Sequence, residues 1–279
     1  SEWDGDGIKN GRLVSTGMIA YTDVDITNLT TGTKEETATE LDAPSISWTK
    51  LVGTTEEEEA GDIKTSTDGS IYIVGQTEGD LDGQSHSDSP GPNNDDAFIS
   101  KRDSDGNVIW TKLLANGEAK GINLDSNGSI YIVGDVYGDL DGQSHSGGDY
   151  ADAFVSKFNA DGDNLWTRLV GTTEYEDAYT ITIGNDDSIY IGGYTRGNLD
   201  GQINSGDADA FISKFNTDGD KLWTKLYGTS EFDYGEGLTT GNDGSIYLSG
   251  STGGNLEGLT NKGGEVYGSD AFLTKFNTD

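Results

Sequence analysis

Four short segments hold two oxygen-bearing side chains two residues apart, each followed by glycine. They are Asp80-Leu-Asp82-Gly, Asp139-Leu-Asp141-Gly, Asn198-Leu-Asp200-Gly and Asn255-Leu-Glu257-Gly. Carboxylate and amide oxygens in such loops are the donors a hard cation takes. Asp80, Asp82, Asp139, Asp141, Asn198 and Asp200 are therefore the expected metal ligands, and calcium the expected cofactor. The pattern is incomplete. A full calcium loop wants another oxygen two residues earlier and a glutamate six after the glycine. Glu78 supplies that first oxygen once; Tyr137 and Arg196 take its place later. Asp-Gly alone is an ordinary turn, and the intervening leucine reads as a core anchor. Asn159-Ala-Asp161-Gly-Asp163 has the same flavour, but hairpin geometry accounts for it.

Catalytic side chains are scarce. His86 and His145 occupy equivalent places in Asp-Gly-Gln-Ser-His-Ser, where later copies carry Asn204 and Asn261. No spacing assigns either histidine a carboxylate partner, so both read as solvated loop residues. The chain has no cysteine, which excludes disulfides, zinc-thiolate sites and cysteine nucleophiles. Trp48, Trp110, Trp166 and Trp223 each open Trp-Thr-Lys/Arg-Leu. An aromatic that binds a sugar or cofactor need not recur in every copy, so these read as packing plugs between repeats.

The elements that must position these residues are legible as a repeat. The tryptophans are 62, 56 and 57 residues apart. Ser-Ile-Tyr recurs at Ser70, Ser129, Ser188 and Ser245, and Ala-Phe-[Ile/Val/Leu]-[Ser/Thr]-Lys at Ala97, Ala153, Ala210 and Ala271. Self-similarity at this period means a solenoid or a propeller. Each landmark is β-branched or aromatic and short, hence a strand. A weaker strand precedes them, around residues 61–66 in the first copy. The four strands, A to D, are joined by A–B and C–D turns such as Thr67-Asp68-Gly69 and Ala160-Asp161-Gly162, whose glycines supply φ > 0. Asp186-Asp187 lacks the glycine and should be slightly strained. Tandem four-stranded antiparallel units are propeller blades. The expected fold is an all-β propeller of four blades over residues 46–279. An unattached D strand at 46–52 would complete the last blade and leave no open edge. Residues 1–45 read as an extension, or as a fifth, divergent blade with strands near 19–22 and 24–27.

The composite Asp-Ala-Phe-[Ile/Val]-Ser-Lys-Phe-Asn-x-Asp-Gly-Asp-x-Leu-Trp-Thr-Lys-Leu-x-Gly-Thr, followed by Asp-Gly-Ser-Ile-Tyr, resembles the SBBP-type bacterial β-propeller repeat. Residues 209–229 with 243–252 come closest, and the resemblance covers about residues 46–279. The first copy departs from it at 88–94 and the fourth at Glu257-Gly-Leu; residues 1–45 lie outside it. The resemblance implies a bacterial secreted or cell-surface repeat protein and brings no catalytic motif.

Charge bounds the partners. Lys plus Arg is 17 against 50 Asp plus Glu, a net charge of −33. Such a surface repels nucleic acid and anionic membranes. No apolar run is long enough to span a bilayer. The D–A loops carry Glu56, Glu57, Glu58, Glu59, Glu174, Glu176, Glu231 and Asp233. In an antiparallel blade the D–A and B–C links share one face. That acidic face is expected to take cations, a basic protein partner or glycans, with Tyr150, Tyr175, Phe232 and Tyr234 as sugar platforms. The expected function is a non-enzymatic extracellular or cell-surface binding and scaffold module. The alternative is a propeller enzyme, hydrolase, lyase or dehydrogenase-like, with a metal in the central channel.

Overall fold

The computed structural model describes residues 7–9, 12–14, 45–87, 94–114, 116–146, 148–263 and 268–277. The chain divides into two units, 1–49 and 50–279. In the first unit β1 (Gly7–Lys9) and β2 (Arg12–Val14) form an antiparallel hairpin. The strands expected near 19–22 and 24–27 lie outside the described residues.

The second unit is all-β and built from four antiparallel meanders, the blades of a propeller. Blade one is β3 (Glu58–Thr65), β4 (Ile71–Thr77), β5 (Asp96–Arg102) and β6 (Val108–Leu114). Blade two is β7 (Gly117–Leu124), β8 (Ile130–Val136), β9 (Asp152–Phe158) and β10 (Asn164–Val170). Blade three is β11 (Glu176–Ile183), β12 (Ile189–Thr195), β13 (Asp209–Phe215) and β14 (Lys221–Tyr227). Blade four holds β15 (Asp233–Thr240), β16 (Ile246–Thr252) and β17 (Asp270–Phe276). Every tight turn rests on a left-handed residue: φ is 85° at Gly69, 81° at Gly128 and 83° at Gly162. Where glycine is missing, Asp187 itself takes φ 59°.

Each A strand begins earlier than its apolar residues suggest and carries a β-bulge, at Gly61, Lys120, Tyr179 and Glu236. A bulge leaves one residue outside the ladder and re-aims its side chain. The crossing beside it is tight: a Cβ at Gly134 would lie 1.8 Å from the Glu118 carbonyl oxygen. The glycine of Ile-Tyr-Ile-Val-Gly is thus required by backbone approach.

The blades stack in chain order, β3 on β7, β7 on β11 and β11 on β15. Buried between the first two are Val74, Ile99, Ile122, Ile132 and Phe154. Equivalent layers hold Val155, Ile181 and Phe211, then Ile212, Ile246 and Leu248. Among the described residues, side chains on the two end faces are more exposed than their equivalents inside the stack. Ile63 is 59% exposed where Ile122 is 3%, and Leu273 is 75% exposed where Ile99 is 0%.

Four blades are present, the fourth with three described strands, and residues 45–57, where a D strand was expected over 46–52, form no strand. Ile46 and Leu51 are 85% and 93% exposed. The other D strands follow their C strands through an Asp-Gly or Asn-rich hairpin that fixes register. A strand added from more than 200 residues away has no such turn and bears a larger loop-closure entropy.

Candidate functional site

The acidic pairs after strand B are small hairpins. Leu81 bridges Gln84, Leu140 bridges Gln143 and Leu256 bridges Leu259. Asp82, Asp141, Asp200 and Glu257 have φ near 50°, and each following glycine is also left-handed, the type I′ geometry Asp-Gly favours. The two members of a pair serve separate protein donors. Asp80 Oδ1 accepts the His86 amide at 2.9 Å, Asp139 Oδ1 that of His145 at 2.9 Å, and Asn198 Oδ1 that of Asn204 at 2.9 Å. Asp82 Oδ2 accepts from Thr111 Oγ1 at 2.7 Å and Arg102 Nη2 at 3.2 Å. Asp141 Oδ2 accepts from Thr167 and Asn164, both at 2.6 Å, and Asp200 from Lys221 and Thr224. Among the described residues no group of three or more His, Cys, Asp or Glu side chains is placed to hold a metal ion.

The other singled-out residues are also engaged. Trp110 Nε1 donates to the Ala160 carbonyl at 3.2 Å and Trp166 Nε1 to that of Thr217 at 3.1 Å. Each indole reaches the C–D turn of the next blade and lies over its glycine. A Cβ at Gly162 would come within 2.9 Å of the Trp110 ring. Lys101 and Lys157 lie over Tyr72 and Tyr131 and donate to the same two carbonyls. Asn159 Oδ1 accepts the amides of Asp161 and Asp163, so the C–D carboxylates are hairpin residues. His86 Nε2 lies 2.8 Å from the Asn94 carbonyl oxygen, and His145 Nε2 lies 3.7 Å from Asp152 Oδ1.

The D–A and B–C links share one rim. The A strands of blades two to four are each tied there to the end of the C strand in the preceding blade: Gly117 N to Asp95 O, Glu176 N to Ala151 O, Asp233 N to Ala208 O. Three blades close this rim with one device. Glu58 accepts from Thr54 N at 2.7 Å and Thr77 Oγ1 at 2.9 Å. Glu176 accepts from Thr172 N at 2.6 Å and from Thr195 Oγ1. Asp233 accepts from Thr229 N at 2.6 Å. Hydrogen bonds from Thr54 lower the Glu58 carboxyl against the upward push of burial.

Blade two lacks the device. Its tryptophan-to-serine spacing, Trp110 to Ser129, is 19 residues, against 22 from Trp48 to Ser70, Trp166 to Ser188 and Trp223 to Ser245. Gly117 stands where the capping acid should be, and Val136 replaces the threonine. Asn116 bridges the shortened link with φ 64°. The missing material leaves a cavity of about 40 Å³ lined by Asp95, Asn116, Glu118, Asp135, Tyr137 and Tyr175, with Asn94 and Gly117.

Beside it lies a charged cluster that the sequence reading missed. Lys120, aimed by its bulge, meets Asp177 at 2.6 Å, Asp135 at 2.8 Å and Glu118 at 3.2 Å, under the Tyr179 ring. Although burial disfavours its charge, these carboxylates hold the ammonium well above its usual pKa. The carboxylates outnumber it. Burial and then the charges of Glu78, Glu118 and Glu57 push Asp95 up to about 6. Burial and the Asp177 charge push Asp135 up to about 6. Burial raises Glu118 and Asp177 too. A row of rings continues along the rim: Tyr137 on Tyr175, Tyr175 on Tyr194, Tyr194 on Tyr234 and Tyr234 on Phe232, at centroid distances of 4.8–6.3 Å. Of the four rings expected as sugar platforms, Tyr175, Phe232 and Tyr234 stand in this row, and Tyr150 makes none of these contacts. The 19-residue spacing was the signal that could have led to the notch.

No family model matches the chain. The regulatory protein FlaEY of Caulobacter vibrioides is 31% identical over 186 residues, which is 61% of this chain and 20% of that protein. The chain thus spans about a fifth of the relative's length. Among solved structures, an ulvan lyase is similar at 14% identity and TM-score 0.45, over 78% of this chain and 55% of the other. A xylan β-1,4-xylosidase from Bacillus halodurans is similar at 14% identity and TM-score 0.41, over 82% and 44%.

Proposed function

We propose that the chain is a non-enzymatic binding and scaffold module of a bacterial secreted or cell-surface repeat protein, and that its acidic loop rim takes a basic protein partner. The observation that carries this is the division of labour between the two rims. Residues that recur in each copy are engaged within and between blades. The loops that vary, with exposed Glu56, Glu57, Glu174 and Glu231, gather on one rim. Variable loops on a rigid scaffold are where binding resides. Clustered like charge steers an oppositely charged partner to it. The resemblance to the SBBP-type repeat supports the surface location.

A catalytic reading has one observation in its favour, the two carboxyls near pKa 6 beside a cavity. Substrate sites usually enclose about 300–1,000 Å³, and this cavity is far smaller. A lectin reading draws on the tyrosine row, but Tyr194 is buried and Tyr175 stacks on it.

Fluorescence anisotropy with a labelled lysine-rich peptide tests the proposal. Glu56→Gln, Glu174→Gln and Glu231→Gln combined should weaken binding about tenfold or more, about 1.4 kcal/mol. Asp105→Asn, Asp161→Asn and Asp218→Asn on the opposite rim should leave it nearly unchanged. Equal loss from both sets would reduce the rim to bulk charge.

A further inference from the structure

We propose that the notch in blade two is a pocket for a primary ammonium, the side-chain head of a lysine on the protein partner. This rests on reading the loop rim as a binding face. The pocket exists because one blade abandons a rule the other three keep. Such local departures from an otherwise consistent repeat mark functional positions.

Charge selects a cation. Asp95, Glu118 and Asp135 line the cavity, Asp177 stands behind them, and among the described residues Lys120 is the one ammonium bonded to the group. Asp135 borders the cavity while paired with Lys120 on one side. Its side chain is 3% exposed, it lines the cavity, and its Oδ1 lies 2.8 Å from Lys120 Nζ without an aligned hydrogen bond.

Size and shape select the ammonium. A cavity of about 40 Å³ has room for a small polar head and is far below the volume of a drug-sized ligand site. An ammonium is such a head, and a planar guanidinium is wider. Its three donors meet a lining that holds three carboxylate residues, Asp95, Glu118 and Asp135. Tyr137 and Tyr175, whose hydroxyls lie 3.1 Å apart, supply an aromatic wall for the charge and the adjoining methylene.

The pocket couples binding to protons. Asp95 faces Glu78, Glu118, Glu57 and His86; Asp135 faces Asp177, Lys120 and Glu118, with Tyr137 and Tyr175 beside it. A cation inside favours the charged carboxylates, so it expels the protons that burial retains. Affinity should rise as pH goes from about 5 to about 7.

The test is calorimetric titration at low salt with the capped tripeptide Gly-Lys-Gly, its arginine counterpart, and calcium chloride. The lysine peptide should bind more tightly than the arginine peptide and release protons. Glu118→Gln and Tyr137→Leu should each weaken it about tenfold, the worth of one charge-assisted contact. Glu231→Gln should change it less than about twofold. Melting curves establish that each variant is folded. If Glu118→Gln and Tyr137→Leu leave affinity unchanged while Glu231→Gln lowers it, the pocket is overturned and the acidic rim stands. If neither this peptide nor a longer lysine-rich one binds, both readings fall. Calcium that binds in the notch and is not displaced by the lysine peptide would overturn the ammonium assignment.

Discussion

Asp187 is the residue where local chemistry and the fold conflict most plainly. The equivalent turn positions Gly69, Gly128 and Gly244 have φ of 85°, 81° and 81°, and Asp187 is held at 59°. A left-handed conformation strains any residue with a Cβ, although aspartate tolerates it better than most. Asp187→Gly should stabilise the folded chain by about 0.5–1 kcal/mol, read by chemical denaturation. No gain would mean that the side chain earns its place by a contact. The acidic pairs make a related point. Asp-Leu-Asp-Gly has the donor types of a cation loop, yet the second aspartate is the left-handed residue of a hairpin and accepts from strand D, in blade one from strand C as well. Residue type was legible from sequence; the direction each oxygen faces was not, because the turn sets it.

At the scale of elements, sequence carried most of the fold. Trp-Thr-Lys-Leu, Ala-Phe-Ile-Ser-Lys and Ser-Ile-Tyr each mark a strand, and Asp-Gly marks the turns between them. Two features escaped it. The A strands start at charged residues such as Glu58-Glu59, where alternation gives no signal, and their bulges re-aim Lys120 and Tyr179. The notch arose from a deletion hidden in a repeat length that the 88–94 insertion also alters. The D strands differ in what holds them. Trp110 packs on Tyr72 and bonds to the next blade, whereas Trp48 is 45% exposed in a segment without a strand. Trp110→Ala should lower stability by about 3 kcal/mol, and Trp48→Ala by less than about 1. Equal losses in thermal or urea unfolding would mean that residues 46–52 pack as a D strand in solution.

At the scale of the whole molecule, charge governs the response to pH. Asp95 and Asp135, pushed up to about 6, keep protons that the unfolded chain releases near pH 4. Stability therefore falls as pH rises through that window. Asp68 and Asp243 act oppositely. Hydrogen bonds from Ser66 and Ser70 lower Asp68 to about 2, and Lys275 and Ser245 lower Asp243 to about 2. Their contribution is present above about pH 4 and lost toward pH 2. The melting temperature should peak at about pH 4–5 and decline toward pH 7, a decline that Asp95→Asn makes shallower. A melting temperature rising steadily to pH 7 would contradict this balance.

The central claim is that one rim of the blades binds and the other only turns the chain. Hydrogen–deuterium exchange with and without a bound lysine-rich peptide tests it most directly. The account predicts slowed exchange at residues 53–58, 94–96, 116–118, 137–139, 172–176 and 229–233. It predicts no change at the turns around Gly69, Gly106, Gly128, Gly162, Gly219 and Gly244. Protection confined to those turns, or spread evenly over both rims, would contradict it.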